Sequence, residues 1–268
     1  MKNSSSRQSA PICAPICAPI LELIDVTLEL GGEIILDGVN LSIHQDDTIV
    51  IIGPSGGGKS VLLKTMAGIY TPTTGKVLCY GHEWEALSMS EKHDVARKIG
   101  VQFQKSALFD ELTAFENVAF PLREHTRDSD EVIGDRVLAC LKAVGLEAAK
   151  SLLPHEMSGG MRQRLGIARA IALKPEILFL DDPTAGLDPV NSDLMAEMIL
   201  NLKKEVAATL IIATHDMQMA YQFAGRILLV ADKKVIETGN AVQTQNHPDP
   251  RVQQFIHGWL KGPLTEKY

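Results

Sequence analysis

Gly53-Pro54-Ser55-Gly56-Gly57-Gly58-Lys59-Ser60 brings glycines, a lysine and a hydroxyl residue together in the spacing G-x-x-x-x-G-K-[ST]. Glycines allow backbone N–H groups to converge on phosphate oxygens, and a helix starting there adds a favourable dipole. In such a loop Lys59 reaches the β and γ phosphates of a nucleotide and the Ser60 hydroxyl holds Mg²⁺. The expected phosphate contacts run from Gly53 through Ser60 to Val61.

A second chemical stretch is Ile177-Leu178-Phe179-Leu180-Asp181-Asp182, four apolar residues followed by two carboxylates. The apolar run predicts a buried strand beside the loop strand, with both carboxylates at its exposed end. Asp181 is placed to bind Mg²⁺ through water, and Asp182 to orient or deprotonate an attacking water. An isolated Asp-Asp pair would suit a solvated turn equally well, so the catalytic reading depends on the phosphate loop. His215, in Thr214-His215-Asp216, follows an apolar strand and sits where open parallel sheets present ligand-facing residues. On residue type alone, His215 and Gln104, in Val101-Gln102-Phe103-Gln104, fit a structural role too. Met157-Ser158-Gly159-Gly160-Met161 is a second small-residue nest leading into a helix. Two anion cradles in one chain call for two nucleotides or a partner.

These residues need elements to hold them. Residues 48–52 read as a buried strand that feeds the glycine loop, and residues 59–67 as a helix stopped at Gly68. Residues 21–30 and 34–43 form a hairpin around Gly31-Gly32. From about 106 to 173 the β-branched runs disappear, and periodic segments at 132–144 and 161–173 predict an inserted helical subdomain. Strands at 177–180, 210–213 and 227–230 then resume the core, with a helix at 189–206 between the first two. The fold class is α/β, a core with an antiparallel β subdomain and the helical insertion. Near the end, residues 249–261 place Val252, Phe255, Ile256, Trp259 and Leu260 on one helical stripe. That stripe covers either its own domain or a partner.

Composition narrows the function classes. The 268 residues, 45% hydrophobic and 22% charged, suffice for a sizeable core. A net charge of -7 opposes a main role in gripping nucleic acid. No apolar run approaches the roughly 20 residues a bilayer-spanning helix needs, so membrane work must be borrowed from other subunits. Cys13, Cys17, Cys79 and Cys140 lack framework spacing and read as reduced thiols. Residues 1–20 read as a disordered tail; its Ala-Pro-Ile-Cys repeat offers two thiols, too few for a zinc shell, and Pro11, Pro15 and Pro19 break any signal-like helix.

Taken together, these motifs resemble the ABC ATPases, nearly throughout from Leu21 onward. The resemblance implies a P-loop NTPase core over about 21–245 and a helical tail over 246–268. It makes Gly53 to Ser60 the Walker A loop and Gln104 the Q-loop glutamine, a further contact to nucleotide and metal. Ser158-Gly159-Gly160 becomes the signature, Asp181 the Walker B aspartate, Leu187-Asp188 the D-loop and His215 the switch histidine. It further implies ATP and Mg²⁺ as cofactors, with Lys59, Asp182 and His215 serving hydrolysis. A head-to-tail dimer would close each signature over the other copy's Walker A loop.

Outside those motifs, Ser106-Ala107-Leu108-Phe109, residues 116–126, Ala231-Asp232-Lys233-Lys234 and Pro248-Asp249-Pro250-Arg251-Val252 are similar to the ATPases of the Mla, MCE-linked phospholipid transporters. That similarity implies a membrane permease, an MCE-domain subunit, a small STAS-domain subunit, and a place on the cytoplasmic face of the inner membrane. Its implied task is moving phospholipid between the inner membrane and outer envelope, maintaining outer-membrane lipid asymmetry. The alternatives are an ABC transporter for another small molecule and a soluble ATP-dependent dimerisation switch. Two positions depart from the family pattern. Asp182 stands where glutamate is usual, predicting slow turnover, and Leu30 stands at the expected base-stacking position, predicting loose nucleotide preference.

Overall fold

The computed structural model describes residues 18–223 and 225–265. Residues 1–17, which include the Ala-Pro-Ile-Cys repeat with Cys13 and Cys17, lie outside the described residues. Ile20, at the end of the expected tail, already bonds to the first sheet through Ile43 O and Tyr80 N.

The first strands are β1 (Leu21–Leu30), β2 (Glu33–Ile43) and β3 (Thr48–Ile52), followed by helix α1 (Lys59–Met66). Next come β4 (Thr74–Cys79), β5 (His82–Glu83), α2 (Met89–Ala96) and β6 (Ile99–Gln102). The helical subdomain holds α3 (Ala114–His125), α4 (Asp130–Ala143) and α5 (Gly159–Ile171). The core then resumes with β7 (Ile177–Asp181), α6 (Pro189–Val206), β8 (Thr209–Ala213), α7 (Met217–Phe223), β9 (Arg226–Ala231) and β10 (Lys234–Gly239). Short helices α8 (Ala241–Gln245) and α9 (Pro250–His257) close the described chain.

Among the described residues the strands form two sheets. One is antiparallel, in the order β2-β1-β4-β5; the other runs β10-β9-β3-β8-β7-β6, with β10 alone antiparallel to its neighbour. Every residue of β3, β7 and β8 is buried, as expected for parallel strands covered on both faces. Side chains alternate between those faces. Val50, Ile52, Leu178, Leu180, Leu210 and Ile212 join a core shared with α3, α4 and α5. Ile49, Ile51, Phe179 and Ile211 join a second core under α1 and the antiparallel sheet. The helical subdomain therefore shares its core with one sheet face.

Register aligns the chemistry. Ala213 of β8 lies level with Ile51 of β3 on one side and Asp181 of β7 on the other. The loops that follow three adjacent strands thus leave the sheet at one edge.

At the far end of α1 the chain turns at Gly68, with φ +71°. A Cβ built there would lie 1.4 Å from the indole nitrogen of Trp84, so the bare Cα is what lets the tryptophan seat against the helix end.

The terminal helix is shorter than its periodicity suggests. α9 stops at Gly258, which adopts left-handed φ +64° and donates its N–H to Gln254 O and Phe255 O. This glycine terminator outweighs the hydrophobic period. Val252 is fully buried, and Phe255 and Ile256 pack on the chain's own core. Trp259 and Leu260 fall off the stripe and stand exposed.

Candidate active site

The loop between β3 and α1 approaches the backbone of β9 closely. A Cβ on Gly53, whose φ is +147°, would lie 2.2 Å from Val230 O, which bars any side chain. Among the described residues no side-chain hydrogen bond caps α1, and a helix start of this kind favours an anion. The Lys59 ammonium bends back onto its own loop, donating to Gly53 O at 2.8 Å and Pro54 O at 3.0 Å. Burial pushes its pKa below the ordinary lysine value, while Asp182 and Asp181 pull the other way.

Ser60 meets Asp181 across the site, its hydroxyl donating to Asp181 Oδ1 at 2.7 Å. Asp181 is only 3% exposed. Desolvation raises its pKa, Ser60 and the nearby lysines lower it, and Asp182 adds a raising contribution. A hydroxyl and a carboxylate at this separation are hard oxygen donors of the kind Mg²⁺ takes, with nucleotide phosphates completing its shell. These residues fit the ion.

Asp182 departs from β7 with left-handed φ +50°, its N–H held by Ala213 O at 2.8 Å. Its Oδ2 lies 3.0 Å from Nδ1 of the exposed His215 ring; an ionised carboxylate only accepts, so in that contact Nδ1 is the donor. Asp182 Oδ1 is buried and accepts no hydrogen bond among the described residues. A buried carboxylate oxygen with free acceptor capacity can orient a water.

Val61 packs toward the core under α1. Gln104 stands apart from the carboxylates: its side chain is exposed, and no hydrogen bond joins it to Ser60 or Asp181 among the described residues. Its backbone carbonyl instead accepts from Gln163 Nε2 at 2.9 Å. Gln163 Oε1 in turn accepts from Gln102 Nε2 at 2.7 Å and from Ser106 Oγ at 3.1 Å. Arg169, further along α5, donates to Ser106 O and Ala107 O, both residues having positive φ. Gln163 stands in the Arg162-Gln163-Arg164 run that follows the second nest, but the sequence assigns neither it nor Arg169 a role, since polar residues inside a periodic helix carry no distinctive spacing.

Ser158 caps α5 by accepting from Met161 N at 3.2 Å. With Gly160, Leu187 and Asp188 it borders a cavity of about 480 Å³, whereas Pro54, Ser55, Gly56 and Gly57 border another of about 570 Å³. The two cavities share no lining residue, so one chain does not bring its two anion cradles together. The apolar side chains beside the phosphate loop come from Ile34 and Ile35. Leu30, expected at the base position, packs instead against the core of the antiparallel sheet. Leu264 and Thr265 from the chain's end also line this cavity, and nothing in the sequence pattern marked them.

Known proteins resemble this chain in sequence and in fold. Residues 36–185 match the family model for ABC transporters. Over 248 residues, 92% of this chain and 92% of the relative, the chain is 36% identical to the intermembrane phospholipid transport system ATP-binding protein MlaF of Escherichia coli K12. It is 35% identical to the "Probable ribonucleotide transport ATP-binding protein mkl" of Mycobacterium leprae, covering 91% of this chain and 70% of that one. Among solved structures, a dimeric post-hydrolysis state of the ATP-binding cassette MJ0796 bound to ADP and Pi superposes with TM-score 0.75 at 36% identity. That match covers 82% of this chain and 98% of that one. Sequence, fold and the arrangement of Lys59, Ser60, Asp181 and Asp182 converge, and the chain belongs to the ABC transporter family as an ATP-hydrolysing cassette.

Proposed function

We propose that this cassette powers movement of phospholipid between the inner membrane and the outer envelope. It acts as a head-to-tail dimer on the cytoplasmic face of the inner membrane. The observation that carries this reading is the nearly end-to-end match to an intermembrane phospholipid transport ATP-binding protein, which spans 92% of both chains, against 70% of the ribonucleotide-named relative. The cassette's partners in this reading are a membrane permease, an MCE-domain subunit and a STAS-domain subunit; among the described residues no helix is long and apolar enough to cross a membrane.

In this reading residues 21–245 form the ATPase unit, 106–173 its helical subdomain, and 246–268 its tail. Gly53 to Gly58 and Val61 bind phosphates through the backbone. Lys59 exchanges its loop carbonyls for β- and γ-phosphate oxygens. Ser60 and Asp181 hold Mg²⁺, with Gln104 joining them when its exposed side chain swings inward. The metal, once bound, offsets phosphate charge as the bond breaks. Asp182 Oδ1 orients water for attack on the γ phosphate, and His215 fixes the carboxylate through Oδ2. Ser158, Gly159 and Gly160 of one copy complete the phosphate site of the other.

Isolating the intact membrane complex through a tag on this chain, and reconstituting it with a fluorescent phospholipid, tests the reading. Expected are a permease, an MCE-domain subunit, a STAS-domain subunit, co-purified phospholipid and ATP-dependent lipid transfer. A permease without an MCE-domain subunit would instead assign transport of another small molecule. Recovery of no membrane subunit would leave a soluble ATP-dependent dimerisation switch.

A further inference from the structure

The cavity beside the phosphate loop has a wall from a part of the chain far from every nucleotide motif. After α9, the backbone turns back at residues 259–265 and delivers Leu264 and Thr265 beside Ile34, Ile35 and Pro54. The return is held by one buried side chain. Gln254, 3% exposed, accepts from Leu264 N through Oε1 at 2.8 Å. Its Nε2 donates to Trp259 O at 3.2 Å and Thr265 Oγ1 at 3.0 Å. The Thr265 hydroxyl closes the turn on Leu260 O at 3.0 Å. A buried amide with all these contacts fixes a segment that has no secondary structure of its own.

We propose that residues 259–265, pinned by Gln254, form a wall of the nucleotide-base subsite within the same chain. The proposal rests on ATP occupying the Gly53 to Ser60 loop. Phosphates drawn to the start of α1 leave the base projecting along the cavity toward Ile34, Ile35 and Leu264. Ile34 and Ile35 of β2 supply part of the apolar lining, and Leu264, half-buried against the core shared with the helical subdomain, supplies another part. An apolar side chain meets the flat face of a base and not its hydrogen-bonding edge, so Leu264 contributes alike to adenine and guanine, and any choice between them falls to Glu33, Asp232 and Lys233, which also line the cavity. The contact also links base occupancy to α9, whose Val252 lies fully buried in the core shared with the helical subdomain.

The test uses the full chain with Mg²⁺ and compares calorimetric binding of a non-hydrolysable ATP analogue with that of tripolyphosphate, which has no base. Leu264→Ala should weaken the ATP analogue about tenfold and leave tripolyphosphate unchanged, the loss expected when one leucine leaves an apolar contact. Gln254→Leu should do the same by releasing the segment, and a non-hydrolysable GTP analogue should lose affinity in parallel with ATP. Unchanged ATP binding in both variants, or tighter binding, overturns the proposal. Equal loss for ATP and tripolyphosphate overturns it too, because the effect would then act through the phosphate loop. Light scattering on the same samples reports the monomer, and a loss seen only in dimer would move the wall to the partner copy and refute the same-chain assignment. Wild-type protein that binds tripolyphosphate but prefers no nucleotide would refute a base subsite while sparing the phosphate loop; binding neither would overturn the loop reading itself.

Discussion

In the proposed mechanism Asp182 is the residue expected to limit the rate. Its carboxylate is one methylene shorter than the family's usual glutamate, and its backbone is held at left-handed φ +50°, a conformation that costs energy outside glycine. His215 takes one of its oxygens, so the water-facing work falls on Oδ1 alone. A reacting group misplaced by about 1 Å forfeits on the order of a hundredfold in rate. Asp182→Glu should therefore raise steady-state phosphate release, by up to about that factor, at unchanged ATP affinity; turnover that stays level or falls removes short reach as the cause. At this scale the chemistry was legible where spacing encodes it, at Lys59, Ser60 and Asp181. The lining of the cavity beside the phosphate loop was not. β1 pairs with β2 through several register shifts, between Leu23 and Val26, Val26 and Leu28, and Leu28 and Glu29. Each one-residue slip exchanges the faces of a strand, so alternation along the strands does not reveal that the cavity receives Ile34 and Ile35.

Among the elements, α5 has the widest reach. It begins at Ser158, and its Gln163 and Arg169 grip the backbone of the loop that carries Gln104. The gripped residues Ser106 and Ala107 sit at φ +56° and +45°, conformations that persist only under outside restraint. Gln163→Leu would strip partners from the Gln102 amide and Gln104 carbonyl, a loss of about 1–3 kcal/mol per buried group. The expected result is a Tm lowered by several degrees. With it, kcat should fall about tenfold while KM for ATP stays within about twofold. A lower Tm with unaltered kcat would make Gln163 a purely structural residue. Helices with caps and an apolar stripe, such as α5 and α6, could be read from sequence because Ser158 and Asp188 mark their starts. α2 escaped because it buries no residue and so writes no stripe, and β6 because its run is four residues long and interrupted by Gly100. The excess length assigned to the last helix came from following the hydrophobic period through Gly258.

For the whole molecule, the decisive fact is that Ser158 and Gly56 line separate cavities. A second copy must supply the missing cradle if each nucleotide is to be enclosed. With ATP and Asp182→Asn to slow hydrolysis, light scattering should show the mass doubling, and adding Ser158→Arg should return it to monomer; a monomer in the first case would exclude the sandwich. The overall architecture was legible because the parallel strands are continuous apolar runs alternating with long helices. The sharing of one core between sheet and helical subdomain was not, since sequence lists residues without saying which face they find.

The seat of Trp84 on Gly68 reaches beyond the fold. A saturation screen for activity would leave position 68 as blank as the phosphate loop, because any added carbon would collide with the indole. Tolerance alone would then rank this remote turn among the ligand contacts. The same screen repeated with Trp84→Ala should let small residues return at 68 while Gly53 stays closed against the backbone of Val230, separating a glycine kept for a side chain from one kept for a neighbouring strand.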